Sequence, residues 1–172
     1  MKKIIITIVL AILLTASMSW AAAVGTCTQS FAEVYSASGP TPIATLTFTC
    51  TASADDGSFP LTATSQTITD QIAGRYLYLV TAYPTAGGIA PDAADVFIMD
   101  ADGEDFLGSV DGGTTANKGL SLIHATLKKT TFPYSAHSSV YYEAPVTSAL
   151  TLKILNQATV SANVTIQLKF KR

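Results

Sequence analysis

The side chains best placed to do chemistry in this chain are carboxylates and tyrosines. Asp92, Asp95, Asp100, Asp102, Glu104 and Asp105 fall within fourteen consecutive residues. Hard oxygen donors at that density suit Ca2+, and Asp100, Asp102 and Asp105 are the candidate ligands. The EF-hand spacing is not met, because Gly103 directly follows Asp102 and no Glu stands at the twelfth position. Asp100-Ala101-Asp102-Gly103 also has the composition of a tight turn, in which Asp bonds its own backbone and Gly supplies a positive φ. That turn reading takes precedence, and no cofactor other than this candidate Ca2+ is expected.

Histidine is scarce, at positions 124 and 137 only. Neither a Gly-x-Ser-x-Gly elbow nor a His-Glu-x-x-His helix occurs, so the chain offers no recognisable nucleophile–base or zinc constellation. No enzymatic activity is expected. Tyrosine is more plentiful, and Tyr76, Tyr78, Tyr141 and Tyr142 are the candidate interaction surface. Flat, stiff, amphipathic rings are enriched where proteins meet partners or glycans. The rival reading places the same rings in the core with their hydroxyls at its rim.

The two cysteines, Cys27 and Cys50, are most simply one disulfide if the chain is exported. Cys27–Tyr35 and Ile43–Cys50 both read as strands, and Ser36–Pro42 reads as the turn between them. Pairing residues whose numbers sum to 77 sets Phe31 against Leu46 and Cys27 against Cys50. Phe31, Tyr35, Leu46, Phe48 and both cysteines then share one face, and Thr28, Ser30, Thr45, Thr47 and Thr49 the other. Val24-Gly25-Thr26-Cys27 faintly resembles a lipidation box, with Thr a poor fit before the cysteine.

Export is expected from the first residues. Lys2 and Lys3 precede an apolar run from Ile4 to Leu14, shorter than the roughly 20 residues of a bilayer span. Ser19 and Ala21 then fit a cleavage site. The expected division is a signal peptide over 1–21 and one domain over 22–172. Cleavage removes two lysines and no acid, which takes the formal charge from -2 to -4. That balance excludes a basic nucleic-acid binder, and no later apolar run reaches membrane length. Charged residues make up 13% of the chain, against roughly 25% in an average soluble domain. Such a composition excludes a disordered or coiled-coil chain.

Further strands are expected at Arg75–Tyr83, with Leu77 and Leu79 on one side and Tyr76, Tyr78 and Val80 on the other. Another runs from Asp95 to Asp100 and turns into a partner at Glu104–Leu107. Leu120–Thr130 fits helix and strand spacing alike. Thr51–Asp70 is polar, with Asp55-Asp56-Gly57 and Pro60 marking a loop, Thr131–Ser139 also reads as loop, and Val140–Glu143 as a short strand. Ala149–Leu155 and Asn163–Phe170 read as a second hairpin whose numbers sum to 318. Short strands, Thr-rich faces and little helix indicate an all-β fold, a single antiparallel β-sandwich of jelly-roll or Ig-like topology with one hairpin disulfide.

Four segments follow one another in a familiar order: Asp56–Pro60, Gly74–Thr81, Ala90–Asp95 and Asp100–Gly108. Together with the strands from Ala149 to Phe170, they resemble a family of small β-rich proteins encoded among the structural genes of tailed bacteriophages and prophages. The resemblance covers about residues 44–170. It implies a non-enzymatic virion component and brings no catalytic residues. Virion parts assemble in the cytoplasm, so the export signal points to a relative acting outside it, in the periplasm or at the surface of a bacterium. The chain is also similar, more weakly, to chaperone–usher pilus subunits, which complete their sandwich with a neighbour's strand. The expected function is therefore an exported structural or interaction protein that meets a protein partner or its own kind. A pilus-type subunit and a Ca2+- or glycan-binding module are the alternatives.

Overall fold

The structure is a computed structural model that describes residues 24–34, 42–108, 120–122, 128–135 and 140–172. The expected signal peptide, Tyr35, His124 and His137 lie outside these residues. The elements are β1 (Thr26–Val34), β2 (Ile43–Thr51), β3 (Thr62–Ala63), α1 (Gln66–Ile72), β4 (Tyr76–Pro84), β5 (Ala94–Met99) and β6 (Leu120–Leu122). They continue with β7 (Lys129–Thr131), β8 (Tyr134–Ser135), β9 (Val140–Tyr141), β10 (Ala144–Pro145), β11 (Thr151–Leu155) and β12 (Asn163–Lys171). One sheet runs β1-β2-β12-β4-β10, with β7 also on β4, and the other runs β3-β11-β5-β6. β8 and β9 form a separate ribbon. Every strand pairing is antiparallel, so the fold is the expected all-β sandwich.

Alternation builds the core. Ala44, Leu46, Phe48 and Cys50 of β2, and Val164, Ile166, Leu168 and Phe170 of β12, point inward and are buried. They pack in one cluster with Val96 and Ile98 of β5 and Leu152 and Ile154 of β11. Each such large side chain contributes about 1.5–3 kcal/mol by leaving water. The outward positions of β1 and β2 are mostly Thr and Ser, which keep strand propensity without charge, with Ala32, Val34 and Ile43 apolar at the turn end.

The first hairpin has the expected register throughout its described length. Cys27 pairs with Cys50 and Phe31 with Leu46. The Cys27–Cys50 disulfide joins directly opposed residues whose Cα atoms are 4.0 Å apart. β1 is less deeply covered than β2, because its inward residues are half-buried. Polar contacts fasten it there. The Gln29 amide donates to the Ala63 carbonyl at 2.6 Å and accepts from the Ser65 amide at 3.1 Å. Glu33 pairs with the buried Arg75 guanidinium at 3.0 Å, and that guanidinium lies 5.9 Å from the Phe31 ring centroid.

Three expectations are corrected. β11 and β12 are not a hairpin: β11 pairs with β3 and β5, and β12 with β2 and β4. Their apolar faces do both point inward, but from opposite sheets, and residues 156–162 carry the chain across. Asn156 and Ser161 adopt positive φ in that crossing. The Asp92 carboxylate holds it from outside by accepting from the Ala158 amide at 3.1 Å. That bond and one from the Ala93 amide hold the Asp92 carboxyl below its ordinary pKa.

Glu104–Leu107 is not a partner strand. It meets β5 through one isolated bridge, Met99 to Asp105, and β5 instead pairs with β11 and β6. The segment from Thr51 to Asp70, polar enough to read as loop, contains β3 and most of α1. Ser65 caps α1 by accepting from the Ile68 amide. Ile68 and Ile72, one turn apart, plug the core beneath it.

Candidate functional site

The alternation that organises β2 and β12 fails in β4, and the candidate site is built where it fails. Along β12, Lys169 pairs with Leu79, yet the next residue, Phe170, pairs with Leu77. Tyr78 is thus the extra residue of a β-bulge, which bends a strand and re-aims its side chains. The bulge reverses the parity of β4. Leu77 before it and Val80 and Ala82 after it all enter the core, while Leu79 is only half-buried. The expected grouping of Leu77 with Leu79 is therefore incorrect, and Val80 does not share a face with Tyr76 and Tyr78.

The outer edge of β4 is interrupted at the same place. β7 pairs with Val80–Ala82 and β10 with Tyr76–Leu77. Between β7 and β10 the chain leaves the sheet, forms the β8–β9 ribbon and returns. Tyr134 pairs with Tyr141 in the ribbon, and the Tyr142 amide donates to the Pro133 carbonyl at 3.0 Å.

This excursion and the bulge enclose an open cleft of about 180 Å³ lined by Tyr78, Phe132, Tyr141, Tyr142 and Glu143. The Phe132 and Tyr141 rings meet edge to face, with centroids 6.3 Å apart and planes at 74°. Tyr134 braces Tyr141 from behind at 5.2 Å and 62°. Tyr134 itself lies on Gly108, whose φ is +90° and where an added Cβ would come within 2.4 Å of the Tyr134 ring. Phe132 is 53% and Tyr141 67% exposed.

The acidic turn flanks this cleft. Asp100 is the hinge of the turn, and its carboxylate accepts from the Asp102 amide at 3.0 Å and the Glu104 amide at 2.9 Å. Asp105 is buried and accepts from the amides of Ile98 at 2.9 Å and Leu107 at 3.1 Å. These carboxylates spend lone pairs on backbone donors, as the turn reading requires. Among the described residues no group of three His, Cys, Asp or Glu side chains is placed to hold a metal ion. Burial, then the charges of Glu104, Asp100 and Asp105, push the Tyr142 phenol above its ordinary pKa. The turn therefore sends a negative field into one wall of the cleft.

Of the four tyrosines chosen from the sequence, Tyr78, Tyr141 and Tyr142 line the same cleft, and Tyr76 does not. Tyr76 stands exposed at the start of β4, opposite Pro145 and Lys171. Phe132, Tyr134 and Glu143 were not singled out. The signal for them was the density of aromatic residues at 132, 134, 141 and 142, in a stretch read mainly as loop. A second hollow, of about 680 Å³, lies along Tyr83–Ala86, Gly88, Ala90 and Lys128. Its Lys128 ammonium sits 5.4 Å from the Tyr83 ring centroid.

Compared with protein-family models, curated proteins and solved structures, the chain shows no significant match.

Proposed function

We propose that this protein is an exported, non-enzymatic interaction module that engages a protein partner through the aromatic cleft. The observation that carries the reading is the convergence of Tyr78, Phe132, Tyr141 and Tyr142 on one open cleft from separate chain segments. Rings left this exposed gain nothing for the core, and aromatic side chains in concave, partly desolvated sites dominate binding energy in interfaces. The disulfide fits an oxidising compartment outside the cytoplasm. Kinship with the small structural proteins of tailed phages, which the turn and strand segments from Asp56 to Gly108 suggest, would accord with a role in contact rather than catalysis.

The centre of the larger sheet supports this reading over the pilus-type alternative. β12, from the chain itself, fills the position between β2 and β4, whereas a pilus subunit takes a strand of its sandwich from a neighbour.

Site-directed photocrosslinking tests the proposal. Benzoylphenylalanine at position 141 is expected to yield a discrete adduct when the protein is expressed in its own bacterial background. The same probe at position 47, on the Thr-rich outer face, is expected to yield none. Equal adducts from both positions, or none from position 141, would rule the cleft out as the contact surface.

A further inference from the structure

The cleft has a definite chemical preference. Among the described residues its walls are ring faces and edges, and the only charged group lining it is the carboxylate of Glu143. The two lining rings with a fixed mutual geometry, Phe132 and Tyr141, stand at 74° to one another. Steeply inclined rings surround a compact group, whereas a sugar ring needs a flat platform to lie on. A cation over an aromatic face is attracted by the ring quadrupole, and the fold already uses that pairing twice. Arg75 lies over Phe31 and Lys128 over Tyr83. The acidic turn adds negative potential from the Tyr142 side, where the charges of Glu104, Asp100 and Asp105 add to burial in raising the pKa of that phenol.

We propose that the aromatic cleft formed by Tyr78, Phe132, Tyr141, Tyr142 and Glu143 receives a basic side chain, arginine or lysine, from the partner protein. The inference rests on the reading of the cleft as the contact surface and names what enters it. The ring faces hold the delocalised or alkylammonium charge, and Glu143 supplies the counter-charge. An internal competitor is already in place. Lys171 reaches Glu143 at 2.5 Å with both side chains substantially exposed, so this ion pair is weak and exchangeable. An incoming arginine can replace the single ammonium contact with a bidentate one.

Titration of the full exported protein with a blocked tetra-arginine peptide, followed by NMR of 13C-labelled tyrosine rings, tests the proposal. The Tyr78, Tyr141 and Tyr142 resonances are expected to shift saturably, and those of Tyr83 to stay still. Tyr141→Ala leaves the net charge unchanged and is expected to weaken binding about fivefold. Tyr141→Phe keeps the ring face and is expected to bind as the parent does. Lys171→Gln frees Glu143 and should tighten binding about threefold, whereas Lys169→Gln, the same change in charge on the outer face, should not.

Shifts spread evenly over the molecule, or insensitive to Tyr141→Ala, would mean unspecific attraction to an acidic protein and overturn the proposal. So would maltohexaose moving the three cleft tyrosines while the peptide does not, which identifies a glycan site instead. A photocrosslinked partner at position 141 together with no response to the peptide would leave the contact surface standing and refute its basic ligand.

Discussion

The β1–β2 hairpin and the outer edge of β4 are made from similar residues, yet one is closed and the other open. In the hairpin each residue has a single partner across nine consecutive pairs. Side chains alternate without interruption, Phe31, Leu46 and Phe48 go inward, and a disulfide locks the far end. In β4 one extra residue, Tyr78, breaks the count. The edge strand beside it divides into β7 and β10, and the chain between them carries three aromatic rings outward. Regular pairing hides hydrophobic surface, and a single bulge is enough to display it.

The contrast can be broken most severely through the core. Phe48→Ala, in the closed region, is expected to cost about 4 kcal/mol in urea unfolding. Tyr141→Ala, in the open one, should fall within about 0.5 kcal/mol of the parent. Comparable losses would mean that the cleft is core after all. Next in size is the disulfide. Cys27→Ala with Cys50→Ala should lower stability by about 3 kcal/mol, the expectation for a loop of this length, and leave the cleft tyrosine resonances in place.

Gly108→Ala probes the support behind the cleft. The new Cβ would stand where the Tyr134 ring lies and would require a positive φ. A loss of about 1–2 kcal/mol is expected, with weakened Tyr134–Tyr141 nuclear Overhauser contacts; an unchanged ring pair would show that Tyr134 is not held there. The smallest effect is one of pH. The Tyr142 pKa is raised in the folded state above its ordinary 10.0. Its neutral form thus favours the fold, fully below pH 10, and the contribution is lost as pH rises through the folded-state value. Tyr142→Phe should therefore lose melting temperature less steeply above pH 10 and match the parent below it. Parallel profiles would show that neither burial nor the acidic turn raises the phenol.

Legibility in the sequence follows the same division. The sum-77 register could be read because Cys27, Phe31, Leu46, Phe48 and Cys50 fix both the parity and the pairing. The inward faces of β11 and β12 could also be read, but not their separation into two sheets. Ile154 and Val164 are equally inward whether they are hydrogen-bonded neighbours or face each other across a core, and a seven-residue connection permits either. Periodicity reports faces, and partners have to be found from tertiary packing. The parity of β4 was misread because Tyr78 resembles any other strand tyrosine. Only its pairing to β12 exposes the extra residue. Helix α1 was missed although Ser65 and the Ile68–Ile72 spacing were visible, because polar neighbours on both sides suggested a loop.

Three of the four candidate tyrosines line the cleft; their number and amphipathic chemistry are legible in the sequence, whereas their exposure is not. The carboxylates at 100 and 105 were equally noticeable, but type and spacing alone could not separate metal ligands from backbone acceptors. The bonds that Asp100 and Asp105 accept from the amides of Ile98, Asp102, Glu104 and Leu107 come into view only with the folded backbone.

The place of β12 between β2 and β4 has a consequence for the order of events in folding. Of the described strands, β12 is the last to leave a ribosome or an export channel, and it is the one that both neighbours need. Until it arrives, β2 and β4 present unpaired backbone along the edges that will meet in the middle of the sheet, and Leu46, Phe48, Val80 and Ala82 lack their neighbours. The chain therefore cannot finish its larger sheet piecemeal from the N-terminus, and contacts so distant in sequence form slowly. Under the export proposed above, that delay would keep the chain unfolded while it crosses a membrane and let it close once its final strand is through.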